Sequence, residues 1–124
     1  MSDVFIRPVL GYITGSKLTT VNTYVTCTIT APSSAVGLTN FPIRGWKTLT
    51  VVLNAVTQNL HFDVDVSLDE TVWVPKEVDK LVVVGTPVPL TLNDEPWNWM
   101  RILVKPAVAG VHGTGSFRVD GSTM

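Results

Sequence analysis

Along most of this chain apolar and polar positions alternate one for one. In "LHFDVDVSL" Leu60, Phe62, Val64, Val66 and Leu68 fall on one side of an extended backbone, with His61, Asp63, Asp65 and Ser67 on the other. Successive side chains of a strand point to opposite faces, so this pattern describes a strand with one buried and one wet side. "TYVTCTITA" sets Val25, Cys27 and Ile29 against Tyr24, Thr26, Thr28 and Thr30. "WKTLTVVLNAV" places Leu49, Val51 and Leu53 on one face, and both stretches are rich in β-branched residues. "KLVVVG", "VPLTL", "WNWMRILVK" and "GSFRVDG" read as further strands. Turn residues separate them: Pro32-Ser33-Ser34, Ile43-Arg44-Gly45, Gly85-Thr86-Pro87, Asn93-Asp94-Glu95-Pro96 and Gly113-Thr114-Gly115. No long stretch holds a helical period free of proline and β-branched runs, and "APSSAVGL" has room for one short turn of helix. The expectation is an all-β fold, an antiparallel sandwich or barrel of short strands.

The first twenty residues break the pattern. "VFIRPVLGYITGSKLTT" is apolar in patches yet interrupted by Pro8, Gly11 and Gly15. Residues 1–20 therefore read either as a first strand or as an extended arm that packs on a neighbouring chain, and residues 21–124 as a single sandwich domain. Apolar surface that its own domain leaves uncovered implies an interface. Phe5, Ile6, Val9, Leu10 and Tyr12 are the interface candidates in this segment.

Composition narrows the function classes. Hydrophobic residues make up 45% of the 124 and charged residues 15%, enough for a packed core. A net charge of -1 without a basic run argues against a nucleic-acid or membrane-surface footprint. Arg7, Pro8 and the early Asp3 do not fit a secretory leader, and no segment has the apolar length of a membrane helix. One cysteine, Cys27, excludes an intrachain disulfide, and its place beside Val25 and Ile29 fits a small core residue.

The candidate chemistry is thin. Asp63, Asp65, Ser67 and Asp69 have the odd-numbered spacing of a calcium loop, but such a loop needs Gly at its sixth position and Glu at its twelfth, where this chain has Leu68 and Val74. Asp63 and Asp65 lie about 7 Å apart on one strand, and carboxylate catalysis wants its two acids facing across a cleft. His61 and His112 are far apart and lack a paired nucleophile. "GVHGTGS" follows no strand–helix unit and reads as a turn, not a dinucleotide fingerprint. No enzyme, cofactor or metal is expected. Four tryptophans, Trp46, Trp73, Trp97 and Trp99, are many for this length. Trp97 and Trp99 share one strand face, opposite Asn98 and Met100, and are candidate contact residues. Core packing is the competing role for these rings.

From Gly45 to Gly121 the order of motifs resembles small phage-virion β-sandwich modules of discoidin-like or jelly-roll type. "GWKTLTVVLNAV" is similar to their opening strand. "VDVSLDETVWVP" resembles their "S-x-D-G-x-x-W" hairpin, here Ser67, Asp69, Glu70 and Trp73. "WNWMRILVKPA…GTGSFRVDG" is similar to their closing pair, in which "R-x-x-V" precedes a glycine-containing turn. Glu70 departs from the glycine of that hairpin, which predicts a wider or differently twisted turn. The residues themselves give Ser67 and Asp69 a turn-closing role and let Trp73 cover the hairpin end. The resemblance implies a jelly-roll-like sandwich and a non-enzymatic virion protein assembled in the host cytoplasm. Within that class it points to a bacteriophage capsid decoration (cement) protein that binds the major capsid protein or another virion protein as a homo-oligomer, with a trimer favoured. The alternative is a carbohydrate- or receptor-binding module of a phage tail or enzyme complex.

Overall fold

A computed structural model of the chain describes residues 9–14, 24–31, 40–44, 46–93, 95–111 and 113–122. Ten strands follow in chain order: β1 Val9–Thr14, β2 Val25–Thr26, β3 Thr28–Ala31, β4 Asn40–Pro42, β5 Thr48–Ala55, β6 Leu60–Ser67, β7 Val74–Val82, β8 Val88–Asn93, β9 Trp99–Pro106 and β10 Gly115–Ser122. They form two antiparallel sheets, ordered β3-β1-β10-β5-β8 and β2-β9-β6-β7, with β4 also paired to β9. The described residues contain no helix.

The strand order settles the topology. β2 and β4 pair with successive parts of β9: Val25 and Thr26 face Val104 and Leu103, then Asn40, Phe41 and Pro42 face Arg101, Met100 and Trp99. They thus act as two halves of one edge strand. Counted as one, and with β3 set aside as an extra edge, the sheets read first-eighth-third-sixth and second-seventh-fourth-fifth. That is the order of a jelly roll, in which two Greek keys wrap around each other.

The core lies between the sheets and follows the alternation of the sequence. Leu49, Val51, Leu53 and Ala55 of β5 meet Leu60, Phe62, Val64 and Val66 of β6, Met100, Ile102 and Val104 of β9, and Phe117 and Val119 of β10. Burying each of the large side chains among them stabilises the fold by about 1.5–3 kcal/mol before entropy is counted. Gly115 sits where the sheets close up: an added Cβ would lie 2.6 Å from a Leu60 methyl and 3.0 Å from the Asn54 carbonyl oxygen.

Three expectations are corrected. "TYVTCTITA" is not one strand. The chain leaves the second sheet at Cys27, whose N–H donates to the Ile102 carbonyl, and continues as β3 against β1 in the first sheet. Cys27 itself is buried in the core. The alternation of β6 also ends one residue early, with Ser67 fully buried and Leu68 54% exposed. The turn that follows needs the Ser67 hydroxyl beneath it, which rotates Leu68 outward. Finally, "GTG" is more than a turn, because its second glycine opens β10. Of the first twenty residues, Val9–Thr14 form β1, paired on one side with β10 and on the other with β3. Residues 1–8 and 15–20, and "APSSAVGL" from Pro32 on, lie outside the described residues.

Candidate interaction surface

The outer face of the second sheet carries a linked set of polar and aromatic side chains. Its geometry follows from cross-strand register. His61, Asp63 and Asp65 of β6 stand opposite Lys105, Leu103 and Arg101 of β9. Arg101 donates from Nε to Asp65 Oδ2 at 3.0 Å, and its guanidinium lies 4.4 Å from the centroid of the Trp73 ring. Trp73 thus returns from the hairpin end to lie against β9, where a cation over the indole face is attracted by its quadrupole. Further along, Lys105 Nζ lies 4.7 Å from the centroid of the Tyr24 ring. The Tyr24 hydroxyl donates to the Asp79 carboxylate, and the Asp79 N–H donates to Asp63 Oδ1 at 2.8 Å. Burial of the phenol, reinforced by the hydrogen bond to Asp79 and the nearby Asp63 charge, pushes Tyr24 far above the ordinary phenol range. Asp63 and Asp65 are therefore committed to partners: Asp65 to an arginine, Asp63 to a backbone N–H.

That backbone N–H belongs to a bulged strand. Register shifts interrupt β7 opposite Phe62–Val64 and again opposite Val64–Asp65, and Asp79 has φ of 52°. Extra residues twist an edge strand away from further pairing. Pro75 of β7 and Pro89 of β8 occupy the second position of the two strands on that side of the sandwich, where a missing N–H discourages strand addition.

The β6–β7 turn is built from Ser67 and Asp69. The Ser67 hydroxyl accepts from the Asp69 and Glu70 N–H groups at 3.2 and 2.9 Å and donates to Asp69 Oδ1 at 3.2 Å. Asp69 Oδ1 accepts from the N–H groups of Thr71 and Val72 at 2.9 and 3.0 Å. These backbone donors hold the Asp69 carboxyl below its usual range. Glu70 has φ of 68°, the left-handed conformation that a glycine would adopt freely. Asn98 clamps the hairpin to β4: its N–H donates to Ser67 O, its Nδ2 to Leu68 O, and its carbonyl accepts from Ile43.

The tryptophans separate. β9 begins at Trp99, which takes the outer face with Arg101, while Met100 is buried. Trp97 precedes the strand and packs against the core, so the shared Trp97–Trp99 face is not formed. Its Nε1–H donates to Glu95 Oε1 at 2.8 Å, and Lys76 Nζ reaches the same oxygen at 2.8 Å. Hydrogen bonding from Lys76, then from Trp97, lowers the Glu95 pKa. Between Trp46 and Trp97, over Ile43, Leu49 and Leu92, a cleft of about 10 Å³ remains, room for about one water. Among the described residues no three His, Cys, Asp or Glu side chains gather as metal ligands. Val9, Leu10 and Tyr12 belong to β1, while Phe5, Ile6 and His112 lie outside the described residues.

Sequence reasoning missed Tyr24, Asp79, Lys105 and the Lys76–Glu95–Trp97 clamp. The first three meet only because β7, β6, β9 and β2 lie side by side, a juxtaposition with no local signal. Arg101 was visible as the first residue of "R-x-x-V", without its partners.

No protein-family model matches the sequence, and a search of curated proteins finds no match. Among solved structures, a chain of infectious bursal disease virus, Gx strain, is similar with a TM-score of 0.52 and 15% identity. The match covers 98% of this chain and 31% of the viral one, so this chain spans about a third of the length of that neighbour. At such identity the likeness is one of fold.

Proposed function

We propose that this chain is a non-enzymatic structural protein of a virion. The specific role proposed is that of a bacteriophage capsid decoration protein, binding the major capsid protein or another virion protein as a homo-oligomer, with a trimer around a symmetry axis favoured. The observation that carries the reading is the jelly-roll strand order, matched over 98% of the chain by a chain from a virus structure. The physical character of the molecule supports it. Its outer face is stitched by Tyr24–Asp79–Asp63 and Asp65–Arg101–Trp73, its hairpin end is clamped, and two edges are blunted by bulges and prolines. A rigid block with protected edges can be placed in many equivalent positions without pairing edge to edge. Cryo-EM of purified virions of the phage carrying its gene tests the role. Density for the jelly roll repeated at symmetry-related positions on the shell is expected, and virions that lack it would refute the proposal.

A second reading, a glycan- or receptor-binding module, draws support from Trp99 on the outer face of β9 beside Arg101 and Asp65. Such a site requires Trp99→Ala to abolish binding on a glycan array, and an array without hits removes it.

A further inference from the structure

Exposed apolar side chains are concentrated on one strand. Of the nine large hydrophobic residues exposed among the described residues, six lie between Val72 and Val84, on β7 and its two ends. Val72 is 66% exposed, Val78 60% and Leu81 47%, with Val74, Val83 and Val84 beside them. β7 ends the second sheet and, among the described strands, pairs only with β6. The apolar run therefore follows the free side of an edge strand. Scattered apolar residues on a surface need no explanation, but a run along one edge does.

Charge is arranged about the middle of the same strand. β7 carries Lys76, Glu77, Asp79 and Lys80 around Val78. Two of these four are engaged within the chain. Glu95 holds Lys76, and the Tyr24 hydroxyl draws the Asp79 carboxylate back over the outer face of the sheet. The side chains of Glu77 and Lys80 have no hydrogen-bond or ion-pair partner among the described residues. Both stand opposite buried residues of β6, Glu77 opposite Val64 and Lys80 opposite Phe62, so both leave the strand on the same side. The edge thus presents an unmatched acid, an exposed valine and an unmatched base, in that order.

We propose that the free side of β7 is a contact between two copies of this chain, related by a twofold axis passing between Val78 and Asp79. Charge complementarity selects the occupant and its direction. With the two strands antiparallel about that axis, Glu77 of each copy meets Lys80 of the other, and Val74 lies against Val83 at each end. A shift of one position along the strand would set Glu77 against Asp79 and Lys76 against Lys80, like charges in both pairs. The contact is made by side chains. Two register shifts within β7 and the missing N–H of Pro75 deny a continuous backbone ladder, which also disfavours strand addition by a foreign peptide. β7 has nine residues, about 30 Å of strand, and two sheets about 10 Å apart with their side chains make the side of a sandwich about 15–20 Å wide. The resulting face of about 500 Å² per copy falls below the roughly 800 Å² per partner of a standard interface. The contact is therefore weak and forms at high local concentration. It goes beyond the role proposed above, does not depend on it, and is separate from any arrangement of copies around a particle axis.

The test is sedimentation equilibrium of the full chain from about 1 μM to about 1 mM, for wild type, Glu77→Lys, Lys80→Glu and the double exchange Glu77→Lys with Lys80→Glu. The wild-type mass is expected to rise with concentration from 13.5 kDa towards twice that value. Each single exchange puts like charges face to face at two symmetry-related places and should weaken association at least about tenfold. The double exchange restores both pairs in reverse and should recover association to within about threefold of wild type. Recovery of that kind requires the two residues to meet across the contact. Near-ultraviolet circular dichroism reports whether each variant folds, and Val78→Ser, at a side chain already in solvent, should weaken association with both charges intact. A wild-type mass that stays at a single chain throughout overturns the proposal. So does an oligomer that the single exchanges leave intact, or one that the double exchange fails to recover.

Discussion

Replacing Ser67 with alanine removes one atom from the β6–β7 turn and three hydrogen bonds with it. The hydroxyl is fully buried, so its loss cannot be made good by a water in the same place. The two N–H groups it serves belong to exposed residues, Asp69 and Glu70, and can be partly rehydrated if the turn loosens. The nearest calibrated equivalent is a side-chain oxygen capping a helix N-terminus, where truncation costs about 0.5–2 kcal/mol. Two accepted N–H groups and one donated bond place Ser67→Ala at about 1–2 kcal/mol. For a chain of this length that lowers the thermal midpoint by about 4–8 °C. Thermal unfolding followed by near-ultraviolet circular dichroism reads the global effect, and amide exchange at Glu70, Thr71 and Val72 reads the local one. Asp69→Asn is the comparison, since it keeps an oxygen for the Thr71 and Val72 N–H groups and should protect them better than Ser67→Ala. If Ser67→Ala stays within about 0.3 kcal/mol of wild type with exchange at Glu70 unchanged, the turn is not held by its side chains and the reasoning fails.

Four further outcomes are expected. Gly115→Ala should destabilise by about 1–3 kcal/mol, because the Asn54 carbonyl cannot yield as the Leu60 side chain can; a neutral denaturation midpoint would contradict the close packing described. Glu70→Gly should raise the thermal midpoint slightly, since relief of a left-handed residue, about 1–2 kcal/mol, exceeds the added freedom of the unfolded chain, about 0.5–1 kcal/mol; the Glu70 carboxylate accepts only a long hydrogen bond from Asn40 Nδ2, 3.4 Å, and a fall would show that the side chain contributes more than that. Asp69 and Glu95 both have folded pKa values below their unfolded ones, so their stabilisation is present above about pH 4 and fades as pH falls through the folded values; urea midpoints flat between neutral and acid pH would argue against both networks. Tyr24 is shifted the other way: its contribution is complete below about pH 10 and lost as pH rises further, so Tyr24→Phe should flatten the alkaline limb of the stability curve.

The residues alone determined that the chain is all-β, and which faces of β5, β6 and most of β9 are buried, because a two-residue period is a direct projection of one-sided burial. They also identified Ser67 and Asp69 as turn builders, since a hydroxyl or carboxylate bonds backbone two or three residues ahead and needs no distant partner. Pattern could not show that the chain leaves one sheet at Cys27 and enters the other, because alternation is the same on both sides of a crossing. Nor could it show that Trp97 packs inward while Trp99 faces outward, a difference set by where β9 begins. The partners of Tyr24, Asp79 and Lys105 were decided by tertiary structure alone. Those groups are brought together by strand order, and strand order depends on which edges pair across long sequence separations, which leaves no trace in any short stretch of chain.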